Sequence, residues 1–151
     1  MKRTIWFDMD GTIADLYSVE NWLPKLRAED ASPYTEAQVM LDMNKLAHYL
    51  NRLHIMGYRI GIISWTSKIC TPSYANEIEK AKKKWLRQHL ASVPFDIIHI
   101  VPYGTPKLDM IETDYDILFD DEEANRENWL PSLAFTPSQI FEVLRHLMGK
   151  R

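Results

Sequence analysis

The stretch Thr4-Ile5-Trp6-Phe7-Asp8-Met9-Asp10-Gly11-Thr12 decides how the rest of the chain is read. Four apolar, β-prone residues run straight into charge, the pattern of a buried strand whose carboxyl end emerges at a site. Asp8 and Asp10 lie two apart just past that strand, and Gly11 lets the backbone turn sharply beside them. Two carboxylates converging on one small volume repel each other and call for a cation. A hard ion such as Mg2+ takes oxygen ligands and keeps positions for waters and a substrate phosphate oxygen. Asp8, a backbone carbonyl near Asp10 and a carboxylate from the later pair Asp120-Asp121 would supply such a site.

Outward from this strand the chain alternates in type. Residues 13–34 mix aromatics, acids and two prolines, Pro24 and Pro33, without a clean period, and read as a flap with a helical turn around Val19 to Arg27. From Thr35 the residues Val39, Leu41, Met43, Leu46, Leu50, Leu53 and Met56 recur at helical spacing, which predicts one long helix capped by Thr35 and stopped by Gly57. Tyr58 to Ser64 reads as a second buried strand ending in a hydroxyl residue. Ala75 to Leu90 is a Lys-rich helix with Ile78, Ala81, Trp85, Leu86 and Leu90 at its apolar positions. Further strands are expected at Phe95 to Val101, Asp116 to Phe119 and Ser132 to Phe135, with helices from Glu122 to Trp129 and from Ser138 to Met148. This order predicts a single Rossmann-like α/β domain over residues 1–151: a five-stranded, mainly parallel sheet with helices on both faces, and a small flap after the first strand.

Composition narrows the function classes. Eighteen Lys plus Arg against 21 Asp plus Glu leave a net charge of -3, so no global basic field draws in nucleic acid. Cys70 is the only cysteine, which excludes an internal disulfide and a cysteine-built metal centre. No apolar run approaches the roughly 18 residues of a membrane span, and Met1-Lys2-Arg3 leads into a strand rather than a signal peptide. The expectation is a soluble cytoplasmic protein whose metal, if it uses one, is held mainly by oxygen or histidine.

In a parallel sheet, ligands bind beyond the carboxyl ends of the strands, where strand order reverses. The polar residues at those ends are Asp8 and Asp10, Ser64, and Asp120 with Asp121; Lys107 lies in the loop after the third strand. Phosphoryl transfer asks mainly for positioning and charge neutralisation. The metal, the Lys107 ammonium, the Ser64 hydroxyl and loop amides from Met9 to Thr12 could surround a phosphate. A carboxylate facing phosphorus can attack it to form an aspartyl-phosphate, and a second carboxyl can protonate the leaving alcohol. Asp8 takes the first role and Asp10 the second.

These residues resemble the haloacid dehalogenase superfamily, in its phosphatase branch. Phe7-Asp8-Met9-Asp10-Gly11-Thr12 is similar to its first motif, Ile62-Ile63-Ser64 to its second, Lys107 to its third, and Ile117-Leu118-Phe119-Asp120-Asp121 with Asn125 to its fourth, in the family's order. The resemblance implies Asp8 as nucleophile and Asp10 as acid/base. It also implies Gly11, Thr12, Ser64, Trp65 and Lys107 around the phosphate, and Mg2+ on Asp8, Asp10 and Asp121, with Asp120 the alternative. Asn125 would orient the metal ligands. Only residues 13–34 are free for an insertion after the first motif, so no full cap domain is expected. Asp10-Gly11-Thr12-Ile13-Ala14-Asp15 with the aromatics after it also resembles the small 5'(3')-deoxyribonucleotidase branch.

Plainer roles compete for several of these residues. Asp-x-Asp-Gly-Thr alone could be a turn with Asx-type hydrogen bonds, and only the other motifs in order lift it above that. Asp120 and Asp121 could cap the helix beginning near Glu122. His48, His54, His89, His99 and His146 show no ligand spacing and are read as structural, Trp22 and Trp129 as packing. Trp65, directly after Ser64, could stack on a substrate ring. Lys80 to Lys84 with Arg87 reads as a solvated outer face, a nucleic-acid track only if it borders the cleft. The favoured expectation is a Mg2+-dependent phosphomonoesterase acting on a nucleotide or other small phosphorylated metabolite. A polynucleotide 3'- or 5'-end phosphatase and a phosphate-binding regulator without turnover are the rivals; no membrane partner is expected, and an oligomer is left open.

Overall fold

In the computed structural model, which describes residues 2–149, the opening run is the strand β1 (Thr4–Phe7), buried along its whole length. It lies in the middle of a five-stranded sheet with β4 (Arg59–Trp65), β5 (Ile97–Val101), β6 (Ile117–Phe119) and β7 (Ala134–Phe135), in the order β5-β4-β1-β6-β7 and parallel throughout. The order reverses at β1, so the carboxyl end of this strand faces a crevice between diverging connections, the usual ligand position of such sheets.

Alternation along the strands sorts their side chains to two faces. Ile5 and Phe7, Ile60 and Ile62, and Ile117 and Phe119 share one buried cluster with Leu46, Leu50 and Leu53, Trp85 and Leu86, and Ile140 and Leu144. These belong to α3 (Met43–Ile55), α4 (Pro72–His89) and α6 (Ile140–Leu147), which cover that face. The opposite face carries Trp6, Ile63 and Leu118 packed under Trp129, with Met110, Ile111 and Leu130 at its margin. Its cover is mostly irregular chain and the short α5 (Glu123–Glu127) rather than long helices. Gly61 sits directly opposite Trp6 in the register, and any Cβ there would overlap the indole ring. A glycine inside a central strand thus makes room for the largest side chain of that face.

Residues 13–42 depart from the expected flap and long helix. The segment forms a two-stranded antiparallel ribbon, β2 (Ala14–Asp15) with β3 (Gln38–Val39), enclosing α1 (Trp22–Arg27) and α2 (Ser32–Glu36). The predicted helix from Thr35 to Met56 is therefore three elements, the end of α2, β3 and α3, and Thr35 lies inside α2. Asp42 is the true N-cap of α3, accepting from the Lys45 amide at 3.1 Å. Helical spacing of Val39 and Leu41 with the later leucines is outweighed by ladder bonds to the start of the flap. The flap rests on α4 through Leu16, Leu26 and Tyr34 against Tyr74, Ile78 and Ala81.

The remaining boundaries shift by a few residues. The Lys-rich helix starts earlier, at Pro72 behind its Thr71 cap, and the last helix begins with a 3-10 turn, Pro137–Gln139. Among the described residues no helix is long and apolar enough to cross a membrane.

Candidate active site

Asp8 leaves β1 with its amide donated to the Phe119 carbonyl at 2.9 Å, so the sheet ladder continues up to the first carboxylate. The Met9 carbonyl then accepts from Thr12, Ile13 and Ala14, and Gly11 donates to Ala14. This tight turn needs Gly11 twice over. Its φ is +82°, and a Cβ would overlap the Asp121 carboxylate. The closed turn also corrects one expectation: the Gly11 and Thr12 amides are spent inside it and do not face a phosphate. Thr12 contributes its buried hydroxyl instead, 3.0 Å from Asp8 Oδ2 and 3.3 Å from Asp121 Oδ1, and accepts the Asp121 amide at 3.2 Å. It ties the first and fourth motifs together.

Lys107 begins a 3-10 turn behind Pro106 and is buried. Its ammonium donates to Asp8 Oδ1 at 2.8 Å and to Asp120 Oδ2 at 2.6 Å. Burial alone would lower its pKa, but the two carboxylates outweigh that and raise it, so the side chain stays charged. Asp120 is fully buried and accepts from the Glu122 amide at 2.9 Å and from Asn125 at 3.1 Å. The bond to Glu122 is an Asx-type turn ahead of α5, whose N-cap is Glu122 with no side-chain cap bond, so the expected capping by Asp120 or Asp121 is not what is found.

Asp8, Asp120 and Asp121 each present a carboxylate oxygen within 4.8 Å of the other two. Burial, then the charge of Asp8, pushes Asp120 up to about 6 and Asp121 up to about 8. Three hard oxygen donors that strain against one another without a cation fit Mg2+. Charge balance points the same way: among the described residues two ammonium groups, Lys107 and Lys82, are bonded within a set of four carboxylates, Asp10 included. Asp10 itself is not among the converging oxygens, because its carboxylate points to Lys82. Any metal contact of this residue would have to come through its backbone.

Lys82 is the residue that the sequence reading missed. Read as part of a solvated basic run, it is 1% exposed and donates to Asp10 Oδ2 at 2.8 Å, Ser64 Oγ at 2.6 Å and the Trp65 carbonyl at 2.6 Å. The signal was in the spacing: Lys82 follows Ile78 by four residues and precedes Trp85 by three, so it lies on the apolar stripe of α4. Burial pushes the Asp10 carboxyl above the ordinary range, Lys82 offsets part of this, and Asp8 adds to the rise.

Above the carboxylates opens a cavity of about 740 Å³, lined by Asp8, Asp10 and Lys107 at its floor and by Tyr17, Trp22, Trp65 and Tyr103 on its walls. Trp65 is pinned by its indole N–H to the Thr105 carbonyl at 2.9 Å and lies 4.9 Å from the Tyr103 ring. Tyr17 and Trp22 of the flap meet edge to face at 5.0 Å. Lys80, Lys83, Lys84 and Arg87 do not line this cavity.

Solved structures share this architecture. A D,D-heptose 1,7-bisphosphate phosphatase from Burkholderia thailandensis superposes with a TM-score of 0.59 at 16% identity, over 99% of this chain and 100% of that one. The enzyme of the same name from B. bronchiseptica, complexed with magnesium and phosphate, gives 0.60 at 12% identity over 97% and 98%. A chain of the Pnkp1/Rnl/Hen1 complex gives 0.61 at 15% identity, over 90% of this chain and 46% of that one. No family model matches the sequence, and no curated protein matches it. These phosphatase structures and this chain share one fold, a Rossmann-like α/β domain built on a five-stranded parallel sheet. At these identities the likeness extends to the fold, and the chemistry has to be argued from the site.

Proposed function

We propose that the chain is a Mg2+-dependent phosphomonoesterase that works through an aspartyl-phosphate on Asp8. The observation that carries this reading is the setting of Asp8. It lies at the floor of the cavity, held by Lys107 on one oxygen and Thr12 on the other, within the carboxylate cluster and two residues before a second carboxyl.

In the first step an Asp8 carboxylate oxygen attacks phosphorus, and the ester P–O bond breaks with its electron pair leaving on the alcohol oxygen. Asp10, its pKa raised, gives that oxygen a proton. In the second step Asp10 takes a proton from a water that attacks phosphorus, which releases phosphate and restores Asp8. Lys107 neutralises charge near the phosphoryl oxygens throughout. Ser64, fully buried and off the cavity lining, accepts from Lys82 and so acts through that ammonium rather than on the phosphoryl group. Mg2+ held by Asp8, Asp120 and Asp121 would supply charge neutralisation and orientation of the phosphoryl group, with Asn125 steadying Asp120.

The substrate favoured is a nucleotide or other small phosphorylated metabolite. The cavity falls within the size range of small-molecule sites, and its aromatic walls suit a planar ring or a sugar face. A polynucleotide end would need clustered cations beside the cleft; the exposed cations of α4 lie elsewhere, and Arg27 and Lys68 are the exposed cations that line it. The test is a broad phosphoester panel with Mg2+, comparing mononucleotides, sugar phosphates and 3'- or 5'-phosphorylated oligonucleotides. Turnover of small esters is expected, and Asp8→Asn is expected to lower it by about 10³-fold or more with the fold retained. Full activity in that variant would sink the mechanism. Preference for oligonucleotides would favour the polynucleotide rival, and phosphate binding without any turnover would favour the regulator.

A further inference from the structure

Lys82 is a buried cation that the two chemical steps leave without a task. All three of its N–H donors are committed, to Asp10 Oδ2, Ser64 Oγ and the Trp65 carbonyl, and its ammonium lies 4.9 Å from the centre of the Tyr34 ring. An ammonium engaged in this way has no donor left for a phosphoryl oxygen. Lys107, by contrast, sits on Asp8. The two lysines therefore serve different carboxylates, Lys82 that of Asp10 and Lys107 those of Asp8 and Asp120.

We infer that Lys82 is a positioning residue for proton transfer, fixing the Asp10 carboxyl and the Ser64 hydroxyl in one frame so that Asp10 meets the leaving-group oxygen. The inference rests on the reading of Asp10 as the acid/base. A free aspartate turns broadly about its last torsion, and a charge-assisted bond at 2.8 Å removes that freedom. Because the same ammonium also contacts Tyr34 of α2, the seat of the flap and the orientation of Asp10 share one anchor. Lys82 keeps all its protons. The proton that moves goes from Asp10 to the ester oxygen as the P–O bond breaks and its electron pair passes to that oxygen.

The test uses kcat/KM, which reports enzyme phosphorylation, on p-nitrophenyl phosphate and on a simple alkyl phosphate. The first has a leaving group that departs without protonation; the second does not. Lys82→Met is expected to lose about 10²-fold or more on the alkyl ester and less than about 5-fold on the aryl ester. Adding Lys82→Met to Asp10→Asn should cost no more than about a further 3-fold on the alkyl ester, because both act through one group. Equal losses on both substrates, or full additivity with Asp10→Asn, would overturn the inference in favour of phosphate binding or plain structural support. Lys82→Gln, uncharged but still able to donate, is read in the same way if Lys82→Met lacks a cooperative melt. Asp8→Asn run in parallel separates the two levels. Activity in that variant removes the underlying mechanism, whereas an inactive Asp8→Asn beside equal losses in Lys82→Met removes only the role of Lys82.

Discussion

Asp120 and Asp121 are adjacent carboxyls held at about 6 and about 8, against an ordinary 3.8, chiefly by burial and then by the charge of Asp8. An acid raised in this way stabilises the folded state when protonated, and that contribution is lost as pH rises through the folded value. The metal-free protein should therefore lose stability between about pH 4 and about pH 8. Mg2+ binds the deprotonated cluster, so thermal melts with Mg2+ against EDTA should show a gain that is small near about pH 5 and grows toward about pH 8. An equal gain at both ends would contradict the assignment of the cluster as the metal site. Residue by residue, much of this site was legible from the chain alone. Asp8, Lys107, Asp120 and Asp121 meet as the strand ends suggested, because a parallel sheet gathers those ends by its own geometry. Gly11 and Thr12 were singled out for their amides, and the turn consumes those donors. That depends on hydrogen bonds three and four residues apart, which residue type alone does not reveal.

α4 shows why one helix can be misread and still be correctly found. Its apolar spacing marks it plainly, although its start behind the Thr71 cap was not read, and Lys82 sits on the buried stripe beside Ile78 and Trp85. A run of lysines suggests water on all sides, and only the phase of the stripe separates the buried member from the exposed ones. The flap was the hardest element to read, since its ribbon pairs Ala14 with Val39 across 25 positions and no local period announces it. It is fastened to α4 by the Tyr74 hydroxyl, which donates to the Asp30 carbonyl at 2.8 Å. Tyr74→Phe removes that single bond and keeps the ring. It should cost about 0.5–1.5 kcal/mol in denaturant unfolding. It should also raise KM for a ring-bearing substrate more than it lowers kcat, since the flap supplies a wall of the cavity and none of the reacting groups. A fall in kcat with KM unchanged would place the flap in the chemistry instead.

Across the whole molecule the two ends of the sheet have separate duties. At the amino ends, buried Asp116 gathers the Thr4 amide at 3.0 Å, the Trp6 indole at 3.0 Å, the Glu112 amide at 2.8 Å and the Thr113 hydroxyl at 2.6 Å. This carboxylate locks β1 against β6 and takes no part in the site, which is why a fully satisfied acid at that end reads as structural. At the carboxyl ends the acids are crowded and under-compensated, the condition expected where charge is to be handled. The sheet order, anchored at one end and strained at the other, brings the strand Thr4–Phe7 and its aspartates to the centre of the crevice. The central claim is that phosphate passes through Asp8. It is tested most directly by incubating Asp10→Asn with p-nitrophenyl phosphate and Mg2+, quenching, reducing any acyl phosphate with borohydride and sequencing the peptides by mass spectrometry. The expected result is reduction at Asp8 alone, dependent on substrate and absent when Asp8→Asn is combined with Asp10→Asn; release of nitrophenolate with Asp8 unmodified, or label on another carboxylate, would contradict it.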